Sequence, residues 1–265
     1  YLGDASLGLG RDYYQKVNEK NTETLAEYTK YVASMLQVLG YKNADAVAKN
    51  IVNFEKSIAQ TLYTNEQSRD SNLFYNPKTA TELKTLSKNV DLAGYLAKLG
   101  VKYDKVIVGE INYYKNLDKF INQANLPLIK DYMKFHLLSG SASYLSKDLD
   151  AKRFDFYGKF LRGQQEQRAQ NKRAFELING SIGEAFGKLY VEKFFPASAK
   201  SQMVELIDYL KKSFAQHISN LAWMSNTTKE KALNKLNKFT VKVAYPDQWK
   251  DYSKLTISKD KSYFE

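Results

Sequence analysis

Apolar residues that recur every three or four positions constrain the fold of this chain more than any other feature. The longest run comprises Met203, Leu206, Leu210, Phe214, His217, Leu221 and Met224. This spacing places the side chains on one face of an α-helix. Residues 24–39 and 44–62 repeat the pattern, so the sequence predicts several long amphipathic helices.

Other signals predict where further elements begin and end. Two Thr-x-x-Glu stretches have the pattern of a capping box, which opens a helix; they are Thr79–Glu82 and Thr227–Glu230. The β-branched residues 106–108 predict a short strand. We expect further helices over residues 111–121, 126–138 and 150–196, the last with one break near Gly158 or Gly163.

The composition agrees with a helical chain, because only four of the 265 residues are proline and 43% are hydrophobic. The predicted fold class is all-α, an elongated domain of long antiparallel helices. We assign residues 1–240 to this helical domain. Residues 241–265, which begin with an alternating pattern and a Tyr-Pro turn, are expected to be extended or irregular.

The stretch GSIGEAFGKLYVEKFFP, residues 180–196, contains three closely spaced glycines. On a straight helix, with Gly180 at 0°, Gly183 lies near 300° and Gly187 near 340°, beside the apolar face. A phosphate-binding loop instead places its glycines in a turn between a strand and a helix. We therefore predict a buried helix whose glycines allow close packing, ended by Pro196.

The net charge of +11 raises the question of nucleic-acid binding. The densest basic stretch, residues 147–173, holds eight Lys or Arg residues beside four acidic ones, and no five like charges are adjacent. No stretch has the pattern of a known DNA- or RNA-binding motif. We expect solvated helix faces and no nucleic-acid partner.

Residues suited to catalysis or metal binding are scarce. The chain has no cysteine and two histidines, His136 and His217, and lacks both H-E-x-x-H and G-x-S-x-G. Both histidines lie in apolar surroundings, which favours hydrogen-bonded core residues over metal ligands. We predict no catalytic, cofactor-binding or metal-binding residue here, and no membrane span, because no apolar run approaches about 20 residues.

Several motifs nevertheless resemble one known family, the neprilysin-like zinc metalloendopeptidases, and especially their bacterial oligopeptidase members. The resemblance covers nearly the whole chain and follows the family's order. Its motifs are LGLGRDYY, IVNFEKSIAQ, YNPKT, VGEINYYKNL, FDFYGKFLRG, GSIGEAFGKLYVEKFFPASAK, WMSNTTKEKALNKL and YPDQWKDYSKL.

The resemblance implies a two-lobed parent enzyme. A catalytic lobe carries H-E-x-x-H and a downstream Glu that bind zinc, and a helical lobe faces it across a cavity that admits only short peptides. Zinc would polarise the scissile carbonyl and activate water, with a Glu as general base. This chain corresponds to the helical lobe, so its implied partners are the catalytic lobe of the same polypeptide and an oligopeptide substrate.

Other interpretations remain open at this point. A stand-alone helical protein-interaction module is the main alternative, and a basic nucleic-acid-binding protein is a third. Because the chain begins Tyr-Leu-Gly without a signal peptide or initiator Met, we expect a fragment or a processed form. The lack of disulfides favours a bacterial member, and family habit favours a secreted or periplasmic location over the cytoplasm.

Overall fold

The fold is all-α, as predicted, in a computed structural model that describes residues 1–3, 5–262 and 264. The chain divides into two compact units. The first spans Tyr1–Gln167 and the second begins at Arg168. The predicted domain boundary at residue 240 stays a prediction, although the last helix ends close to it, at Asn237.

The first unit is built from helices joined by short loops. Three of them are long, and they are the helices predicted over residues 24–39, 44–62 and 126–138. The helices are α1 Arg11–Gln15, α2 Glu19–Val38, α3 Ala44–Ala59, α4 Ser71–Phe74, α5 Ala80–Leu83, α6 Leu92–Lys98, α7 Ile111–Lys115, α8 Leu117–Phe120, α9 Leu126–Ser141 and α10 Lys147–Arg153.

Local capping explains where two of these helices begin. Helix α2 starts five residues earlier than its apolar pattern, because the Asn18 side chain accepts a hydrogen bond from the Asn21 amide at 2.8 Å. The predicted capping box at Thr79 is confirmed. The Thr79 hydroxyl accepts from the Glu82 amide, and the Glu82 carboxylate accepts from the Thr79 amide at 2.8 Å.

The short strand predicted at residues 106–108 is also confirmed. Strand β1, Pro77–Lys78, pairs antiparallel with β2, Val106–Ile107. Leu2 adds a parallel bridge to Val108 at the end of β2. The single helix predicted over 111–121 is wrong, because the chain leaves helical geometry at Asn116 and forms α7 and α8 instead.

The core of the first unit lies where α2 packs against α3 and α9. The side chains of Tyr28, Met35, Ile51 and Phe135 are completely buried there. Burying a large apolar side chain contributes about 1.5–3 kcal/mol, so this layer dominates the stability of the unit. Phe156 stacks on Tyr31 and closes the cluster.

One helix break is predicted near Gly158 or Gly163, and it occurs at Gly163, because the helix continues through Gly158. A π-helical segment, Phe154–Phe160, follows α10. A Cβ at Gly158 would overlap the Phe154 ring, so only glycine fits this wide turn. Gly163 then takes a positive φ of 69°, a left-handed conformation that ends the helix.

The second unit contains three long helices among its described residues, and irregular backbone follows the last one. They are α11 Gln170–Phe194, α12 Ala197–Asn220 and α13 Asn226–Asn237. The capping box predicted at Thr227–Glu230 is wrong. Ser225 caps α13 instead, because its hydroxyl accepts from the Thr228 amide at 3.3 Å and the helix starts at Asn226.

The sequence also predicts buried helices in this unit, and for the described residues that prediction is wrong. No described residue of α11, α12 or α13 is buried. His217, expected in a core, is exposed because no described side chain covers its face of α12. Helix α11 is kinked at Ile182, where φ is −123° and ψ is 37°.

Asp118 provides a pH test of the first unit. Hydrogen bonds from the Ser87 hydroxyl and from the Lys88 and Asn89 amides lower the pKa of its carboxyl. Stability from a lowered carboxyl pKa is present above the ordinary value of about 4 and is lost as the pH falls below it. We expect Asp118→Asn to lower Tm at neutral pH and to flatten its decline in acid.

The measurement is a series of thermal melts between about pH 7 and about pH 2.5. Asp104→Asn is the matched control, since Asp104 is exposed and its side chain has no hydrogen bond among the described residues. If the Tm of Asp118→Asn falls with decreasing pH as steeply as that of the unmodified chain, the stabilising role of the Asp118 carboxylate is contradicted.

Candidate functional site

A single buried carboxylate joins four helices of the first unit. Glu55, on α3, is completely buried. Its carboxylate accepts hydrogen bonds from the hydroxyls of Tyr14 at 2.7 Å and Tyr28 at 3.1 Å. The Nε2 atom of His136 lies 2.7 Å from the same carboxylate. These partners come from α1, α2 and α9, so Glu55 fixes all four helices relative to one another.

The sequence contains one signal for this cluster, an acidic residue on the apolar face of α3, which the prediction of the helix did not use. Glu55 lies about 40° from Ile51 and about 60° from Ile58 on α3, which places a charged residue on the apolar face. His136 has the hydrogen-bond partner that was predicted for it, and its side chain is 25% exposed. An acid on an apolar face needs buried donors, because an unpaired buried charge is costly.

The electrostatics of the cluster favour a structural role. Burial, followed by the nearby Glu55 carboxylate, raises the pKa of both Tyr14 and Tyr28 far above that of an exposed tyrosine. Both hydroxyls therefore stay protonated and donate to Glu55. A buried carboxylate that accepts hydrogen bonds from such donors stabilises the packing of the helices that it joins.

A buried ion pair joins the first residue of α1 to the residue that precedes α7. Arg11 Nη1 donates to Glu110 at 2.7 Å and to the Tyr63 carbonyl at 2.6 Å. The other Glu110 oxygen accepts from the Tyr63 amide at 2.9 Å. Glu110 is 2% exposed, so both charges are compensated within the core.

The loop before α1 approaches the core closely at Gly8. A Cβ at this position would overlap the Tyr28 hydroxyl, so only glycine leaves room for the Tyr28–Glu55 hydrogen bond. The Tyr157 hydroxyl donates to the Gly8 carbonyl at 2.9 Å. LGLGRDYY therefore contributes Gly8, Arg11 and Tyr14 to the two buried polar clusters.

The glycines predicted to pack closely lie in a different setting. The kink at Ile182 separates Gly180 from Gly183 and Gly187, so straight-helix angles do not extend across it. A Cβ at Gly180 would meet no atom within 4 Å, and one at Gly183 would make an ordinary 3.5 Å contact with Asn179. Close packing of all three glycines therefore stays a prediction, and it would need protein surface from outside the described residues.

Within the second unit, Gly187 lies next to an aromatic side chain. A Cβ there would lie 3.7 Å from the Trp249 ring. Gly183 and Gly187 line a cavity of about 470 Å³ whose wall includes Tyr245, which stacks on Trp249 with ring centroids 5.9 Å apart. Helix α11 ends at Phe194, and Pro196 immediately precedes α12.

The described residues do not offer a zinc site. No three His, Cys, Asp or Glu side chains in the described parts of the chain converge on a point where a metal ion would bind. No helix of the described structure is long and apolar enough to cross a membrane.

Comparison with known proteins identifies the family. The sequence pattern of the amino-terminal part of peptidase family M13 matches residues 1–246. The chain belongs to peptidase family M13. Its relatives include the neutral endopeptidase of Lactobacillus helveticus, 32% identical over 229 residues and 86% of this chain, and that of Lactococcus lactis subsp. lactis, 28% identical over 267 residues and 99% of this chain.

A solved structure of another family M13 member matches the whole fold. The crystal structure of the zinc metalloprotease of Mycobacterium tuberculosis in complex with an inhibitor has a TM-score of 0.84 and 32% sequence identity, and the match covers 98% of this chain. The chain spans only 40% of that protein, and 35% and 42% of the two neutral endopeptidases. The resemblance to neprilysin-like zinc metalloendopeptidases is thus confirmed.

Tyr14→Phe tests the role of the Glu55 cluster. The change removes one donor to the buried carboxylate and the hydroxyl that accepts from the Leu9 amide at 3.1 Å. Because both groups are buried, we expect a loss of about 1–3 kcal/mol in the free energy of unfolding, measured by chemical denaturation. Tyr13→Phe, whose hydroxyl has no partner in the described structure, should change it by less than about 0.5 kcal/mol. Equal effects would contradict the proposed role.

Gly180→Ala tests the predicted glycine packing. In this chain the new methyl group meets open space, so better helix propensity should raise the free energy of unfolding by about 0.5–1 kcal/mol. In a protein of the length of its relatives, a closely packed Gly180 predicts the opposite sign and a lower Tm. Stabilisation in both proteins, measured by thermal and chemical unfolding, would disprove close packing at this position.

Proposed function

We propose that this chain is the non-catalytic helical region of a zinc metalloendopeptidase that hydrolyses oligopeptides. The match to peptidase family M13 over residues 1–246 is the observation that carries the proposal. The relatives are named neutral endopeptidases, and the similar solved structure is named a zinc metalloprotease. Because the chain covers 35–42% of these proteins, the activity belongs to the complete polypeptide.

The proposed role of residues 1–240 is to form the wall of a substrate cavity and to limit peptide size. Such a wall must keep its shape while peptides enter and leave. The Glu55 cluster and the Arg11–Glu110 pair support this role, because buried, fully hydrogen-bonded groups hold the helices of the first unit in one arrangement. Residues 241–265 would lead toward the catalytic lobe, the partner of this region.

The zinc is proposed to bind outside this chain. The described residues do not provide a ligand set, and the family resemblance assigns zinc binding to an H-E-x-x-H motif that this sequence does not contain. No residue of this chain is therefore assigned to the chemical step. The chain contributes substrate access and the stability of the lobe.

A stand-alone protein-interaction module remains the second candidate. The exposed apolar residues of α12, such as Leu206 at 49% and Phe214 at 59% exposed, favour it. The reading frame of the gene separates the two candidates. A continuation that contains H-E-x-x-H supports the peptidase, and a natural product without that motif supports the module.

A peptidase assay tests the proposed function directly. We expect the purified 265-residue chain to leave a quenched fluorescent oligopeptide uncleaved with or without added zinc, because it has no set of zinc ligands. The complete protein should cleave the same peptide, lose this activity to a chelator and regain it with zinc. Chelator-sensitive turnover by the isolated chain would overturn the assignment, as would a complete protein that zinc cannot activate.

A further inference from the structure

The second unit lacks a hydrophobic core of its own. Its described residues, 168–262 and 264, include no buried side chain, whereas the first unit buries three apolar clusters. A unit of this length that folds alone normally buries a set of large apolar side chains. The three long helices of the second unit are therefore incomplete without further protein surface.

Helix α12 carries the most regular part of this exposed surface. Met203, Leu206, Leu210 and Phe214 are between 43% and 59% exposed. With Met203 at 0°, the other three lie near 300°, 340° and 20°, so the four form one narrow apolar stripe about 16 Å long. We call these four residues the α12 stripe.

A different face of α12 makes its contacts within the unit. Ile207, Ala215 and Ile218 lie between about 40° and 120° on the same scale, and all three are partly buried. Helix α12 packs against α13. The α12 stripe lies directly beside this partly buried face and is itself uncovered within the second unit.

The composition of the stripe indicates what kind of surface covers it. Gln202, Ser213 and Asn220, which are uncharged, lie along one border near 260–280°, whereas Lys200 and Lys211 lie near 60° and 80° on the other side. The four stripe residues themselves are apolar, and such a face suits an apolar protein surface.

We infer that the α12 stripe is the docking face for the part of the same peptidase polypeptide that lies outside these 265 residues. The inference rests on the proposed function. The relatives are more than twice as long as the region that this chain matches, so the complete protein has enough additional chain to cover the stripe. Covalent linkage keeps that chain at a high effective concentration, which favours it over a second molecule.

Leu210→Asp and the matched control Gln216→Asp test this inference. Both introduce one aspartate into α12, but Gln216 lies about 120° from Leu210 on an exposed polar face. In the complete protein, we expect Leu210→Asp to lower Tm by several degrees and Gln216→Asp to change it by less than about 1 °C. In the 265-residue chain, where Leu210 is already half exposed, the two variants should have the same Tm.

Hydrogen exchange provides a second readout if Leu210→Asp prevents the complete protein from folding. The amides of α12 should exchange at least about ten times more slowly in the unmodified complete protein than in the 265-residue chain. Equal exchange rates would overturn the inference, as would equal Tm values for the two variants in the complete protein. A dimer of the 265-residue chain that Leu210→Asp dissociates would also overturn it, in favour of a second copy.

The failure of the docking inference is distinguishable from the failure of the proposed function. If the α12 amides exchange slowly in the complete protein but the protein shows no zinc-dependent cleavage, the docking inference stands and the peptidase assignment is wrong. If the complete protein cleaves peptides but its α12 amides exchange as fast as those of the 265-residue chain, the peptidase assignment stands and the docking inference is wrong.

Discussion

The buried carboxylate of Glu55 is the interaction on which the first unit depends. An ionised carboxylate is costly to remove from water, so it needs a full set of donors at short distance. Tyr14, Tyr28 and His136 meet this need from three other helices. The direction and separation of α1, α2, α3 and α9 are constrained together, and the aromatic core can pack in only one arrangement around them.

The two units achieve stability in different ways. The first buries an apolar core and two polar clusters, so its stability comes from contacts within the chain. The second is held by contacts at its surface, such as the Lys200–Asp247 ion pair at 2.6 Å and the stacked rings of Tyr245 and Trp249. Exposed ion pairs contribute little to stability. This contrast supports the proposal that the chain forms part of a larger peptidase.

Much of the helical architecture could be predicted, because it follows from residues close in sequence. The three- and four-residue apolar spacing located α2, α3 and α12, and the Thr79 capping box located α5. The buried polar clusters escaped prediction, because Glu55 is 27 to 81 residues from its partners. The kink at Ile182 directly follows Gly180 and Ser181, a pair that often accompanies helix kinks, and the straight-helix angles misplaced the glycines because they ignored it.

By itself, the sequence determined the all-α class, most helices and the family, because apolar spacing, caps and ordered motifs are local properties. Only the tertiary structure decided which apolar faces are covered. The patterns of α2 and α12 look alike in sequence, yet Met35 is buried and Leu210 is half exposed. Burial depends on which surfaces meet after folding, and for α12 the described residues provide no surface to cover its stripe.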